Sequence, residues 1–202
     1  LPLRAVLELG FEGENVVLED AFSVLEALDG YQVPISGKRL LETGSYIAIA
    51  DLEVPSWQPI GPQGATPGPF YLVWRGDAQQ DLTAYPRPWQ LSVLAISPFE
   101  ETYRHTVPTG EASGSDAMKG FAIFREQCVR CHAVNREGGK IGPELNVPQS
   151  IIEYRPRKQI RDYIRNPQLF RYGNMPPNPP LSDADLDHLL AYFDAMSTRK
   201  HD

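Results

Sequence analysis

Only two cysteines occur in this 202-residue chain, and a histidine follows the second directly: Cys128-Val129-Arg130-Cys131-His132. Two thiols at this spacing, at the end of a helix, can form thioethers to the two vinyl groups of one porphyrin. The adjacent imidazole is then held beneath the iron as proximal ligand. The pattern is that of covalent c-type haem attachment. Two other chemistries use paired cysteines. A zinc half-site wants a second ligand pair, and the chain has neither a second Cys pair nor a His-x-His cluster. A redox dithiol has no need of His132. A structural disulfide between these two would close too small a loop to staple a fold.

Two downstream segments suit the haem reading. In Ile141-Gly142-Pro143-Glu144-Leu145, a Gly-Pro turn can pass its backbone under the proximal imidazole. A carbonyl near Pro143 would accept the second ring N–H of His132, fixing its orientation and raising its basicity. Farther on, Tyr172-Gly173-Asn174-Met175-Pro176-Pro177-Asn178 places a methionine in a loop stiffened by prolines. Its thioether is aimed at the sixth coordination position, where a neutral sulfur ligand favours ferrous iron and raises the potential. Met118 and Met196 read as core residues of helices, and His188 as solvent-exposed. His105 and His201 would replace Met175 only if its loop opened.

The elements that position these residues change character along the chain. Up to residue 106, runs of β-branched and aromatic residues read as strands at Leu3–Leu9, Tyr46–Leu52, Phe70–Trp74 and Trp89–Ile96. A helix is expected from Ala21 to Leu28, stopped by Gly30. Five prolines and three glycines between Pro55 and Pro69 mark a rigid surface excursion, with Trp57 as a candidate interface anchor. Residues 107–115 are small, polar and aperiodic, and read as a linker. Helices follow. Ser115 or Asp116 caps the first, with Ala117, Phe121, Phe124 and Cys128 along one side. The second runs from near Pro156 to Asn166, with Ile160, Tyr163 and Ile164 as its apolar side. The last opens on Ser182-Asp183-Ala184-Asp185, a capping pattern, and carries Leu186, Leu189, Leu190 and Phe193.

With those residues in view, segment 115–198 resembles a class I cytochrome c domain. The resemblance rests on the attachment motif, the Gly-Pro-x-Leu turn, the Met-Pro-Pro loop and a closing helix with the aromatic pair Tyr192-Phe193. Gly120 and Phe124 stand where that family packs its first helix against its last. The resemblance implies that Cys128 and Cys131 bind one haem c covalently and that His132 and Met175 are the axial ligands. It also implies that Asn178 hydrogen-bonds the ligand sulfur, as in some bacterial relatives. Leu28-Asp29-Gly30-Tyr31-Gln32-Val33 and Gly68-Pro69-Phe70-Tyr71-Leu72-Val73 are similar to part of the sulfite-oxidase-like molybdopterin fold. That family generally holds its metal through a cysteine, and both cysteines here belong to the haem, which would leave a scaffold for recognition. The expected fold is therefore two-domain: a mainly β or α+β module over 1–106, the linker 107–115, and an all-α class I cytochrome c domain over 116–202.

Charge and composition bound the function. The net charge of −7 argues against a nucleic-acid partner, and no apolar run approaches the roughly 18 residues of a membrane span. Residues 1–109 hold 6 Lys/Arg and 14 Asp/Glu, whereas residues 110–202 hold 13 and 12. In the second half Arg157, Arg161 and Arg165 recur every four residues, with Lys158, Arg155 and Arg171 nearby. Such a stripe is either a solvated helix face or a docking surface that steers an acidic partner. The opening Leu1-Pro2-Leu3-Arg4 is not a signal peptide, so an exported chain would be numbered from after cleavage.

The expected role is single-electron transfer in the periplasm, where haem of this type is attached. The chain would serve as carrier or cytochrome subunit between a dehydrogenase and an oxidase or another cytochrome of a respiratory chain. The N-terminal module would choose the partner, and no catalytic residue is expected. Two other readings are an enzyme whose N-terminal domain binds a cofactor or substrate and reduces the haem internally, and a gas or redox sensor whose Met loop releases the iron. The intact Met-Pro-Pro sequence argues against the sensor.

Overall fold

In the computed structural model, which describes residues 1–202 other than 62, 63, 172, 174, 178–180 and 202, Leu3 and Leu7 are buried one helical turn apart while Leu9 is 74% exposed. A strand would have put Leu3, Leu7 and Leu9 on one face. The segment is instead helix α1, Leu3–Gly10, correcting the strand expected there. Leucine, alanine, arginine and glutamate all favour helix, and tertiary burial selected the i, i+4 pair.

The opposite correction applies to residues 21–28. Phe22–Ala27 is strand β1, and Leu28, which a helix would have buried, is exposed. Strand β1 lies between β2 (Gln32–Ser36) and β5 (Leu91–Ile96), antiparallel to both. Leu25 faces Val33 on one side and Leu94 on the other. As a central strand it buries Ser23, Val24 and Leu25 in succession, so no polar alternation identified it. Gly30 is a hairpin residue, not a helix stop. It takes φ +86°, and Ala27 N–H donates to Tyr31 O at 2.9 Å to close the turn.

A short helix α2 (Gly37–Leu40) follows β2. The ribbon of β3 (Ser45–Ala48) and β4 (Tyr71–Trp74) then pairs Ile47 with Leu72. Leu3, Leu7, Leu25, Val33, Ile35, Leu40, Ile47, Leu72, Trp74 and Leu91 share one apolar core. The Pro-rich excursion connects β3 to β4, and Trp57 packs within it: a Cβ at Gly68 would lie 2.3 Å from the indole Nε1. A turn of helix, α3 (Phe99–Thr102), ends this α+β unit, which spans Leu1–Thr102.

The second unit begins at Tyr103, ahead of the linker expected at 107–115. The segment 103–111 is bound to that unit as a strap. Tyr192 Oη donates to Thr106 O at 2.8 Å, Asn135 Nδ2 to His105 O at 2.7 Å and Arg199 Nε to Thr109 O at 2.9 Å. Arg199 also pairs with Glu111 at 3.0 Å. The partners lie 30 to 90 residues away in the chain, so composition alone read the segment as a linker.

Helix α4 (Asp116–Ile123) is capped by Ser115, whose Oγ accepts from Met118 N–H at 3.3 Å. It runs directly into a π-helical turn, Phe124–Cys128. The hairpin β6 (Ala133–Val134) and β7 (Glu137–Gly138) is the strand pair of this otherwise helical region. After α5 (Ile151–Tyr154) comes α6, Arg157–Arg165, starting past Pro156 and ending before Pro167. Helix α7, Asp183–Ser197, opens with a reciprocal box: Ser182 N–H donates to Asp185 at 2.9 Å and Asp185 N–H to Ser182 Oγ at 3.1 Å. It buries Leu186, Leu189, Leu190, Phe193 and Met196.

Helices α4 and α7 cross where the side chain is smallest. A Cβ on Gly120 would stand 2.0 Å from His188 O and 2.8 Å from Tyr192 Cβ, so the two backbones touch there. Beside the crossing Phe124 packs on Tyr192 at 5.3 Å between ring centroids and edge-on to Phe193 at 6.5 Å.

Candidate functional site

The π turn delivers Cys128 at the end of helix α4. Val129 N–H reaches back to Phe124 O at 2.9 Å, and His132 N–H to Cys128 O at 2.9 Å. One extra residue in a helical turn is a common feature of functional segments; here it sets the start of Cys128–His132. Neither cysteine is in a disulfide. Burial, with Cys131 beside it, pushes the Cys128 thiol up to about 12. A nucleophilic redox dithiol is favoured by the opposite shift. Among the described residues no group of three or more His, Cys, Asp or Glu side chains converges for a metal ion.

The imidazole of His132 is fixed from below. Its Nδ1–H donates to Pro143 O at 2.9 Å, the arrangement the Gly-Pro turn was expected to provide. Nε2 is thereby left as the nitrogen with a lone pair, ready for a metal. The turn comes this close because residue 142 has no side chain: a Cβ there would lie 2.3 Å from His132 Cε1. Gly139 allows a second close pass, since its Cβ would sit 2.0 Å from Arg130 O. Burial pushes the ring's proton affinity down, opposed by the Pro143 carbonyl and Glu144, and so favours the neutral, ligating form. Two unbridged thiols and a neutral imidazole with one nitrogen already committed fit haem c.

Sequence reasoning passed over the residues that hold this turn. Glu144 accepts at Oε1 from the N–H groups of Asn135 (3.0 Å), Asn146 (2.7 Å) and Val147 (3.1 Å), and at Oε2 from that of Arg136 (2.8 Å). Asn135 and Arg136 have φ of +55° and +67°, a left-handed pair that turns two successive N–H groups toward one carboxylate. The one legible signal was the asparagine, a residue that tolerates that conformation, in a turn between short apolar runs. Asn135 and Asn146 are buried and joined, with Asn146 Nδ2 donating to Asn135 Oδ1 at 2.8 Å.

Met175 is half-buried, in irregular chain after α6. Asn178, with Tyr172 and Asn174 of the same motif, lies outside the described residues. His105 bonds Glu137 through Nδ1 at 2.7 Å and stacks on His201 at 4.3 Å. His188, expected in solvent, is partly covered and stands 3.3 Å from Asp116.

The arginines of the basic stripe on α6 pair with carboxylates of α7. Arg157 holds Asp194 through two bonds of 2.6 Å. Arg161 holds Asp183 at 2.6 Å and also Asp187, and Arg165 meets Asp183 at 2.8 Å. Lys158 pairs along its own helix with Asp162 at 2.6 Å. The acidic residues 183, 187 and 194 were visible in sequence, but their antiparallel match to the arginines depends on how the helices pack. Arg161 and Arg165 hold the Asp183 carboxyl below its usual range. A lowered folded-state pKa adds stability above the ordinary carboxylate range, and this is lost as pH falls through the folded value. Asp183→Asn is expected to lower the melting temperature at about pH 7, and by progressively less as pH falls through the lowered folded value. A drop that stays the same as the pH is lowered would show that the pairing is not the cause.

Fold and site together define a cytochrome c domain, an electron-transfer module that implies covalent haem c. Residues 115–193 match the family described as cytochrome c oxidase, cbb3-type, subunit III. An 88-residue stretch is 33% identical to cytochrome c oxidase subunit 2 of Alkalihalophilus pseudofirmus, covering 40% of this chain and 25% of that protein. A 35-residue stretch is 46% identical to cytochrome c of Gibberella zeae, covering 17% of this chain and 33% of that protein. The chain thus spans a third or less of the curated relatives it matches. No solved structure gives a significant match. The family match begins at residue 115, so the α+β unit lies outside it.

Proposed function

We propose that this protein carries single electrons through one haem c in the periplasm, with Cys128 and Cys131 as thioether attachments and His132 and Met175 as axial ligands. The observation that supports this best is the 2.9 Å bond from His132 Nδ1 to Pro143 O beside two unbridged thiols. When bound, the haem supplies a one-electron change between ferric and ferrous iron. The chain's own part is to hold the ligand ring, keep it neutral and exclude competing protonation. A thioether from Met175 stabilises the ferrous state because it brings no negative charge.

The partner is a redox protein: a dehydrogenase as donor, or an oxidase or another cytochrome as acceptor. With the α6 arginines committed to α7, long-range steering falls to the acidic N-terminal region, where 14 Asp/Glu outnumber 6 Lys/Arg over residues 1–109. Such a region favours a partner whose docking face is cationic, chiefly through the encounter rate. The likeness to an oxidase subunit favours a resident cytochrome subunit over a freely diffusing carrier.

The test is the visible spectrum of the purified protein, oxidised and reduced, with and without carbon monoxide. A low-spin haem with the weak far-red sulfur-to-iron band, unchanged by carbon monoxide, is the expected result. A high-spin iron that binds the gas readily would overturn the His/Met assignment and favour a sensor. A second chromophore would move the α+β unit to the front as a cofactor-binding enzyme.

A further inference from the structure

One continuous hydrogen-bonded route joins the strap to the proximal side of the site. Asn135 Nδ2 donates to His105 O at 2.7 Å, and the His105 N–H donates to Glu137 at 2.6 Å. The strap's first turn is therefore pinned to the turn and to the second strand of the β6–β7 hairpin. Asn135 N–H donates in turn to Glu144, whose carboxylate collects four backbone N–H groups. Glu144 directly follows Pro143, whose carbonyl receives the His132 ring proton. Asn135 and Glu144 are not iron ligands, yet each constrains the carbonyl that aims the ligand.

We infer that Glu144 and Asn135 are positioning residues for the proximal ligand: Glu144 closes the turn that aims the Pro143 carbonyl, and Asn135 ties that turn to the strap at Tyr103–Glu111. The haem's potential is then set partly by how firmly the strap is attached. This rests on His132 being the proximal ligand, as proposed above. A carbonyl that accepts strongly from Nδ1–H raises the basicity of the imidazole and favours ferric iron. Slackening the turn weakens that bond, so the potential rises.

Three variants of the holoprotein separate geometry from charge. Glu144→Asp keeps the charge but is one methylene too short to reach all four N–H groups. Glu144→Gln removes the charge but keeps an Oε1 acceptor for Asn135, Asn146 and Val147. Asn135→Gly tolerates the positive φ and removes the ties to His105 O and Arg199 O. Potentiometry is paired with NMR of the His132 ring N–H and its solvent exchange. Glu144→Asp and Asn135→Gly are expected to raise the equilibrium constant for reduction about tenfold, ~59 mV for a one-electron couple, and to speed ring N–H exchange by a similar factor. A shift in Glu144→Gln alone would show a simple charge effect and overturn the inference. Lower melting temperatures with unchanged potential and exchange would make the residues merely structural, and overturn it too. A parent protein whose His132 ring shows no haem-induced shift would instead overturn the ligation itself, and this role with it.

Discussion

A chain with both Cys128→Ser and Cys131→Ser is expected to lose covalent haem completely. A thiol adds across a porphyrin vinyl group and a serine hydroxyl does not, so no thioether remains. Acidified acetone should then extract all colour, whereas the parent keeps its haem through extraction and denaturing electrophoresis. Each single variant retains one attachment point and should hold less haem, still resistant to extraction. The loss reaches the fold. The helical unit, Tyr103–Asp202, has a single small core to which a large apolar group would add substantially. The turn at Gly142–Glu144 packs directly on His132, so a group held by His132 would be coupled to the fold of this unit. Calorimetry of the double variant should show an earlier and broader transition for this unit. Extraction-resistant haem in the double variant would refute the assignment of both cysteines.

Gly120→Ala adds a single methyl group and is expected to cause a large loss of stability. Helix propensity alone predicts the opposite sign, because alanine is better than glycine in a helix by about 1 kcal/mol. Packing outweighs propensity at this position. The added carbon would meet His188 O at 2.0 Å and His188 C at 2.5 Å, and backbone atoms in mid-helix have no rotamer by which to yield. Helices α4 and α7 must separate by more than an ångström, which loosens the stack of Phe121, Phe124, Tyr192 and Phe193. The same movement draws Tyr192 Oη from Thr106 O and frees one end of the strap. Overpacking of this kind costs ~1–3 kcal/mol, and in a unit of about 100 residues the upper end of that range lowers the melting temperature by ~12 °C or more. A variant melting at or above the parent temperature would show that the helices do not cross at this residue.

The chemistry of the site was legible because it is local. Attachment of a haem needs two thiols and an imidazole within five consecutive positions, and no distant residue can add to or cancel that requirement. The capping box at Ser182 and Asp185, the helix between Pro156 and Pro167 and the stop at Asn166 were legible for the same reason. The box satisfies backbone groups with side chains a turn away, and the two prolines bound the helix through the conformations their rings allow at and before them. Even the Pro143 carbonyl was within reach, since a Gly-Pro turn soon after the ligand has few places to go.

What the sequence by itself determined, then, is a Cys-x-x-Cys-His motif that fits covalent haem, the helix ends around it and the division into an α+β unit and a helical cytochrome c unit. Tertiary structure alone decided the rest. Short segments such as 3–10 and 22–27 satisfy helical and strand periodicities about equally, and burial of Leu7 or exposure of Leu28 settles which one is realised. The arginines of α6 read as a surface until α7 lay against them. The strap read as a linker until Asn135, Tyr192 and Arg199 closed on it. Glu144 was one acidic residue among 26 Asp/Glu in the chain, with nothing in its neighbours to announce four N–H groups converging on it. The donors to Glu144 lie within nine residues of it and converge only because the chain turns left-handed at Asn135 and Arg136; for the strap and the α6 arginines the deciding partners are remote, and a bond between remote residues exists only once the backbone has paid the entropy of bringing them together.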